Sequence, residues 1–129
     1  MAKKKILVVD DDLYIIKVIK SKLEANNYEV FTAGDGEECV KKVLSEKPDL
    51  IILDIMMPKM DGYNTLITMR QMIEGTEEKA RIPVIILTAR AESEIKNLFD
   101  REEIEDYIVK PFSPGDLLGK IEEILGKKP

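Results

Sequence analysis

Five side chains able to do chemistry follow directly on short apolar runs. Asp10 and Asp11 come after Ile6–Val9, Asp54 after Leu50–Leu53, Thr88 after Ile82–Leu87, and Lys110 after Tyr107–Val109. An uninterrupted run of this kind reads as a strand covered on both faces of a parallel sheet. In open α/β sheets the carboxyl ends of such strands form the edge where ligands bind, so residues distant in sequence converge on one crevice. Three carboxylates against one ammonium leave about −2, and each like pair about 4 Å apart costs several kcal/mol at an effective dielectric of about 20. The crevice should therefore take a divalent cation. Hard oxygen donors in a chain without histidine select magnesium, or manganese or calcium, over zinc. With that charge neutralised, Asp54 can accept a phosphoryl group as an aspartyl phosphate, with Lys110 as a point charge and Thr88 as a hydroxyl donor to its oxygens. Taken singly, each residue has a plainer reading: Asp12 as a helix cap, Asp54 as the acid that opens the turn through Pro58 and Asp61-Gly62, Thr88 as a turn residue, Lys110 as a solvated amine. Their joint placement favours chemistry.

Intervening elements must return the chain to that edge. Helical spacing after Leu13 puts Ile16, Ile19 and Leu23 on one stripe, with Asp12 as N-cap. Asn26-Asn27 breaks the helix, and Tyr28–Ala33 alternates as a strand with Tyr28, Val30 and Thr32 to one side. Gly34-Asp35-Gly36 turns into a second helix marked by Val40, Val43 and Leu44, which Lys47-Pro48-Asp49 ends. A third helix runs from about Tyr63 to Ile73 with Leu66, Ile67 and Met69 inward, and a charged fourth covers about 92–101. The last carries Leu117, Leu118, Ile121, Ile124 and Leu125 on one stripe, capped by Ser113 or Asp116 and closed by Gly126. Five strands alternating with five helices imply an α/β fold, a doubly wound parallel sheet with right-handed crossovers and helices on both faces.

At 129 residues there is room for one domain with a real core. A net charge of −5 argues against a direct nucleic-acid surface, and Lys3–Lys5 read as a solvated terminal cluster. No apolar run approaches the ~20 residues that span a bilayer, so no membrane partner is expected. Cys39 is the single cysteine, which excludes an internal disulfide and makes a reducing, cytoplasmic setting the simpler expectation.

With those residues in place, the chain resembles the receiver domains of two-component response regulators over essentially its whole length, as a single receiver domain over 1–129 with its core at about 5–126. The family's acidic pair falls on Asp10 and Asp11, its D-x-x-M-P-x-M-D-G segment on Asp54–Gly62, its hydroxyl-then-small pair on Thr88-Ala89, and its Lys-Pro on Lys110-Pro111. The resemblance implies a flavodoxin-like sheet of order 2-1-3-4-5 and a cis Lys110-Pro111 bond. It implies that Asp54 takes phosphate, with Mg2+, from a sensor histidine kinase, a phosphotransfer protein or a small acyl phosphate. Asp11, Asp54 and the main-chain carbonyl of Met56 would bind the metal directly and Asp10 mostly through water, with Mn2+ as a substitute. Thr88, Ala89 and Lys110 would bind the phosphoryl oxygens. As a switch, Thr88 would move inward and Tyr107 rotate behind it, altering an output face made by the fourth helix, last strand and last helix. A downstream effector would read that face, on a monomer or a phosphorylation-linked dimer. Such a protein catalyses its own phosphorylation and dephosphorylation without being a conventional enzyme. Two departures stand out: Glu103-Ile104-Glu105-Asp106 replaces the usual Gly-Ala before the last strand, and Met56 and Arg90 occupy the variable positions that tune phosphoryl lifetime. The alternatives are a magnesium-dependent phosphohydrolase with an Asp nucleophile and a phosphorylation-independent scaffold of the same fold. Met56 stands where haloacid-dehalogenase-type phosphohydrolases carry their general acid, which argues against turnover.

Overall fold

A computed structural model of the chain describes residues 3–55, 62–74, 82–89 and 104–126. Each apolar run is a strand: β1 (Lys5–Val9), β2 (Glu29–Ala33), β3 (Leu50–Asp54), β4 (Val84–Thr88) and β5 (Asp106–Val109). All ladders are parallel and the order is β2-β1-β3-β4-β5, the expected flavodoxin-like topology. Four helices are described: α1 (Leu13–Glu24), α2 (Gly36–Glu46), α3 (Gly62–Glu74) and α4 (Pro114–Ile124). The helix expected over 92–101 lies outside the described residues. No described helix is long and apolar enough to cross a membrane.

Successive strand residues point to opposite faces, so each strand feeds two cores. Ile6, Val8, Leu50, Ile52, Ile85 and Leu87 pack against Ile16, Ile19 and Leu23 of α1 and Leu117 and Ile121 of α4. Leu7, Val9, Ile51, Leu53, Val84 and Ile86 pack against Cys39 and Val43 of α2 and Leu66 and Met69 of α3. β3 and β4 are buried at every residue. Each fully buried Leu or Ile contributes about 1.5–3 kcal/mol relative to exposure, which lets the sheet tolerate costly polar groups at one edge.

Short side chains start the helices. Asp12 Oδ1 accepts from the Tyr14 N–H at 2.9 Å and the Ile15 N–H at 3.4 Å. Asp35 accepts from the Glu38 N–H at 2.9 Å while Glu38 Oε1 accepts from the Gly34 N–H at 2.8 Å, so two orphan donors are satisfied together. Ser113 caps α4.

Several positions differ from the sequence expectation. β4 begins at Val84 rather than Ile82, because Pro83 has no N–H to donate, although its carbonyl accepts from Ile51 at 3.0 Å. On α2 the buried stripe is Gly36, Cys39, Val40 and Val43, which leaves Leu44 41% exposed. On α3, Thr65 is fully buried and Ile67 only half so. Lys5 is not a solvated terminal lysine: it lies in β1, donates its ammonium to the Glu46 carbonyl at 3.1 Å and sits 5.8 Å over the Phe31 ring.

Cys39 is fully buried, and burial, with a smaller contribution from Asp35, pushes its thiol up to about 12. The thiolate is the reactive form, so the folded protein should resist iodoacetamide at pH 8 and label only as it unfolds. Labelling by mass spectrometry across a urea series checks this, and stoichiometric labelling without denaturant would refute it.

Candidate functional site

The ladders bring the predicted site residues to one edge. Val9 lies opposite Leu53, so Asp10, one residue on, is carried beside Asp54 at the end of β3. Asp54 lies opposite Leu87, which places Thr88 one residue further along the next strand, and Thr88 lies opposite Val109, which precedes Lys110. Main-chain bonds fix these ends: the Asp10 N–H donates to the Ala33 carbonyl at 3.1 Å and the Lys110 N–H to the Thr88 carbonyl at 2.6 Å. The Lys110-Pro111 peptide is cis, as expected.

Asp10 is completely buried and both of its oxygens are engaged. Oδ1 accepts from the Asp12 N–H at 2.9 Å and Oδ2 from the Lys110 ammonium at 3.0 Å. The same ammonium lies 3.7 Å from Asp54 Oδ2, so it bridges the two buried acids. Adjacent strands are about 4.8 Å apart, and Lys110 therefore reaches over β4 along its flexible stem. Burial acts to lower the Lys110 pKa, but the hydrogen bond to Asp10 and the charges of Asp54, Asp10 and Asp12 outweigh it and hold the group above its ordinary value. Asp12 thus does two things, capping α1 and adding negative charge to the crevice. Its sequence neighbours revealed only the first.

Asp10, Asp11 and Asp54 each offer a carboxylate oxygen, all within 4.8 Å of one another, with Asp11 exposed and the other two buried. This donor set fits a hard divalent cation: it is all oxygen, open to solvent on the Asp11 side, and one ammonium does not balance three carboxylates. Thr88 is fully buried and Ala89 exposed at the rim. Tyr107 is half-buried opposite Ile86 and packs on the core beneath α2 and α3. Met56, Arg90 and Glu103 lie outside the described residues. Gly62, at the start of α3, touches the Asp54–Ile55 backbone, a contact that the sequence signalled only as an Asp-Gly turn.

A sequence model of the response regulator receiver domain matches residues 6–122. The alkaline phosphatase synthesis transcriptional regulatory protein PhoP of Bacillus subtilis is 43% identical over 122 residues, which cover 95% of this chain and 48% of PhoP. The chain spans about half the length of the curated relatives it matches. Among solved structures, the chemotaxis protein CheY4 of Vibrio cholerae superposes with a TM-score of 0.86 at 32% identity, covering 95% of this chain and 99% of that one. The receiver domain of a Pseudomonas aeruginosa sensor histidine kinase, solved with a magnesium ion coordinated in its active-site cleft, gives 0.82 at 29% identity, covering 97% and 99%.

Proposed function

Because the chain belongs to the response regulator receiver domain family of two-component signalling, we propose that it is a phosphorylation-dependent switch whose phosphoacceptor is Asp54. The observation that carries this reading is the bridge of one ammonium between two buried carboxylates, with a third carboxylate within 4.8 Å. A purely structural ion pair needs one acid per base. A surplus of buried acid costs stability and is retained where charge is to be received.

Asp11 and Asp54 would hold Mg2+ directly, and Asp10, whose oxygens already have protein donors, would act mostly through water. A bound Mg2+ supplies the positive charge that lets an anionic phosphoryl group approach an anionic nucleophile. Asp54 Oδ attacks phosphorus, the bond from phosphorus to the donor's imidazole nitrogen or acyl oxygen breaks, and the donor leaves with that electron pair. Lys110 meets one phosphoryl oxygen and Thr88 donates its hydroxyl to another, with Ala89 small enough to leave the rim open. Water later cleaves the acyl phosphate, returning carboxylate and inorganic phosphate. The added charge biases the Thr88–Tyr107 pair between two arrangements, and a downstream partner reads the face around β5 and α4. The donor in the cell would be a sensor histidine kinase or a phosphotransfer protein.

Incubation with acetyl phosphate tests this in the wild-type chain. One phosphoryl group per chain should appear with Mg2+ and none in EDTA, and beryllofluoride with Mg2+ should compete. Repeated release of phosphate from ordinary phosphomonoesters would instead mark a phosphohydrolase, and no incorporation would end the proposal.

A further inference from the structure

We propose that Gly62 is a positioning residue for Asp54, setting the direction of its carboxylate through main-chain contact alone; the inference rests on Asp54 being the phosphoacceptor. Gly62 is buried in the first turn of α3. Its φ lies outside the left-handed region, so glycine is needed there for space and not for backbone conformation. A Cβ at this position would collide with Ile55 Cα, and would lie 2.7 Å from the Asp54 carbonyl oxygen and 2.8 Å from Ile55 Cγ2. Two of those three atoms are backbone and cannot turn aside. At Gly34 and Gly115 the nearest atoms are side-chain oxygens at 3.7 and 3.5 Å, and at Gly119 and Gly126 nothing lies within 4 Å.

The contact closes a chain of restraints on one peptide. Asp54 pairs with Leu87 in the ladder, the Ile55 N–H donates to the Leu87 carbonyl at a long 3.4 Å, and the Gly62 N–H donates to the Ile55 carbonyl at 3.1 Å. The Asp54–Ile55 unit is thus held by β4 on one side and by α3 on the other. A methyl group at Gly62 forces either the first turn of α3 to retreat or this unit to turn, and Asp54 turns with it. The tolerance is small, since the carboxylate must serve a 3.7 Å approach to Lys110 and an oxygen cluster 4.8 Å across.

Gly62→Ala should lower the first-order rate of labelling at saturating acetyl phosphate and Mg2+ by about 10- to 100-fold, the scale of an ångström-level misplacement. Leu66→Ala, in the same helix but touching neither Asp54 nor Ile55 in this way, serves as a destabilised control and should label within about twofold of wild type under conditions where both variants are folded. Equal losses in the two variants would reduce Gly62 to a structural role and overturn the proposal, as would an unchanged rate in folded Gly62→Ala. Should Gly62→Ala not fold, Ile55→Ala decides: it removes Cγ2 but keeps the backbone contact, so its rate should stay near wild type. A tenfold fall there would assign the positioning to the Ile55 side chain and overturn the main-chain account. Failure of wild type itself to label would refute the phosphoacceptor reading and not this contact.

Discussion

Asp54→Asn should abolish phosphoryl uptake from acetyl phosphate and, in EDTA, make the protein more stable than wild type. The loss follows from chemistry, because an amide nitrogen or oxygen in that position is a poor nucleophile toward phosphorus and neither Asp10, with both oxygens engaged, nor exposed Asp11 replaces it. The gain follows from charge. Asp54 is 3% exposed, its carboxylate shares a 4.8 Å cluster with two others, and Lys110 keeps its closer partner, Asp10, when Asp54 is neutral. Relief of that like-charge crowding, less the lost attraction to Lys110, should be worth about 1–2 kcal/mol. Magnesium should invert the order. At a hundredfold excess over its dissociation constant a ligand adds about 2.7 kcal/mol to the native state, on the order of 10 °C in melting temperature for a chain of this size, and most of that should be missing from Asp54→Asn. Urea melts with and without Mg2+ read the stability changes, and labelling with acetyl phosphate reads the loss of uptake. A variant less stable than wild type in EDTA would show that the acids are not in conflict.

Lys110→Ala should do the opposite in EDTA, costing about 3 kcal/mol, because it strands a completely buried Asp10 with no cation at 3.0 Å. Lys110 is 24% exposed, which places the cost at the lower end of the range for breaking a buried pair. The remaining cluster is one charge more negative, so Mg2+ should bind the variant more tightly than wild type while phosphoryl transfer becomes slower. Calorimetric titration with Mg2+ beside the labelling rate checks both, and weaker metal binding would contradict the charge count. The pH profile carries the same sign. A raised folded pKa makes the Lys110 contribution complete below its ordinary value of 10.5 and lost as pH climbs through the folded value. Cys39 adds to the alkaline loss, since its thiol rises from 9.0 to about 12 on folding. Wild-type stability should fall steeply above about pH 9–10, and Lys110→Ala should flatten the upper part of that limb.

Asp10, Asp54, Thr88 and Lys110 are legible in the sequence because each follows an apolar run whose length and continuity admit little besides a covered parallel strand. Ile16, Ile19 and Leu23 are legible for a similar reason, a regular stripe with charge on every other side. Leu44 and Ile67 are not. A helix of period 3.6 allows its buried face to be centred on either of two adjacent residues, and the choice is made by the neighbouring helix and sheet, which put Cys39 and Thr65 inward instead. Lys5 escapes for want of any local sign that Glu46 and Phe31 would come to it. Gly62 escapes because its role is a contact seven and eight residues back, between two stretches of main chain that carry no side-chain signature.

Lys110 sits just past the outermost strand, yet its ammonium rests on acids that belong to strands well inside the sheet. Electrical attraction in the middle of the molecule is therefore carried as mechanical load by its flank. In the switch proposed above, phosphorylation of Asp54 would change the charge at one end of a tether whose other end lies three residues from Tyr107, making the edge strand the arm of a gauge.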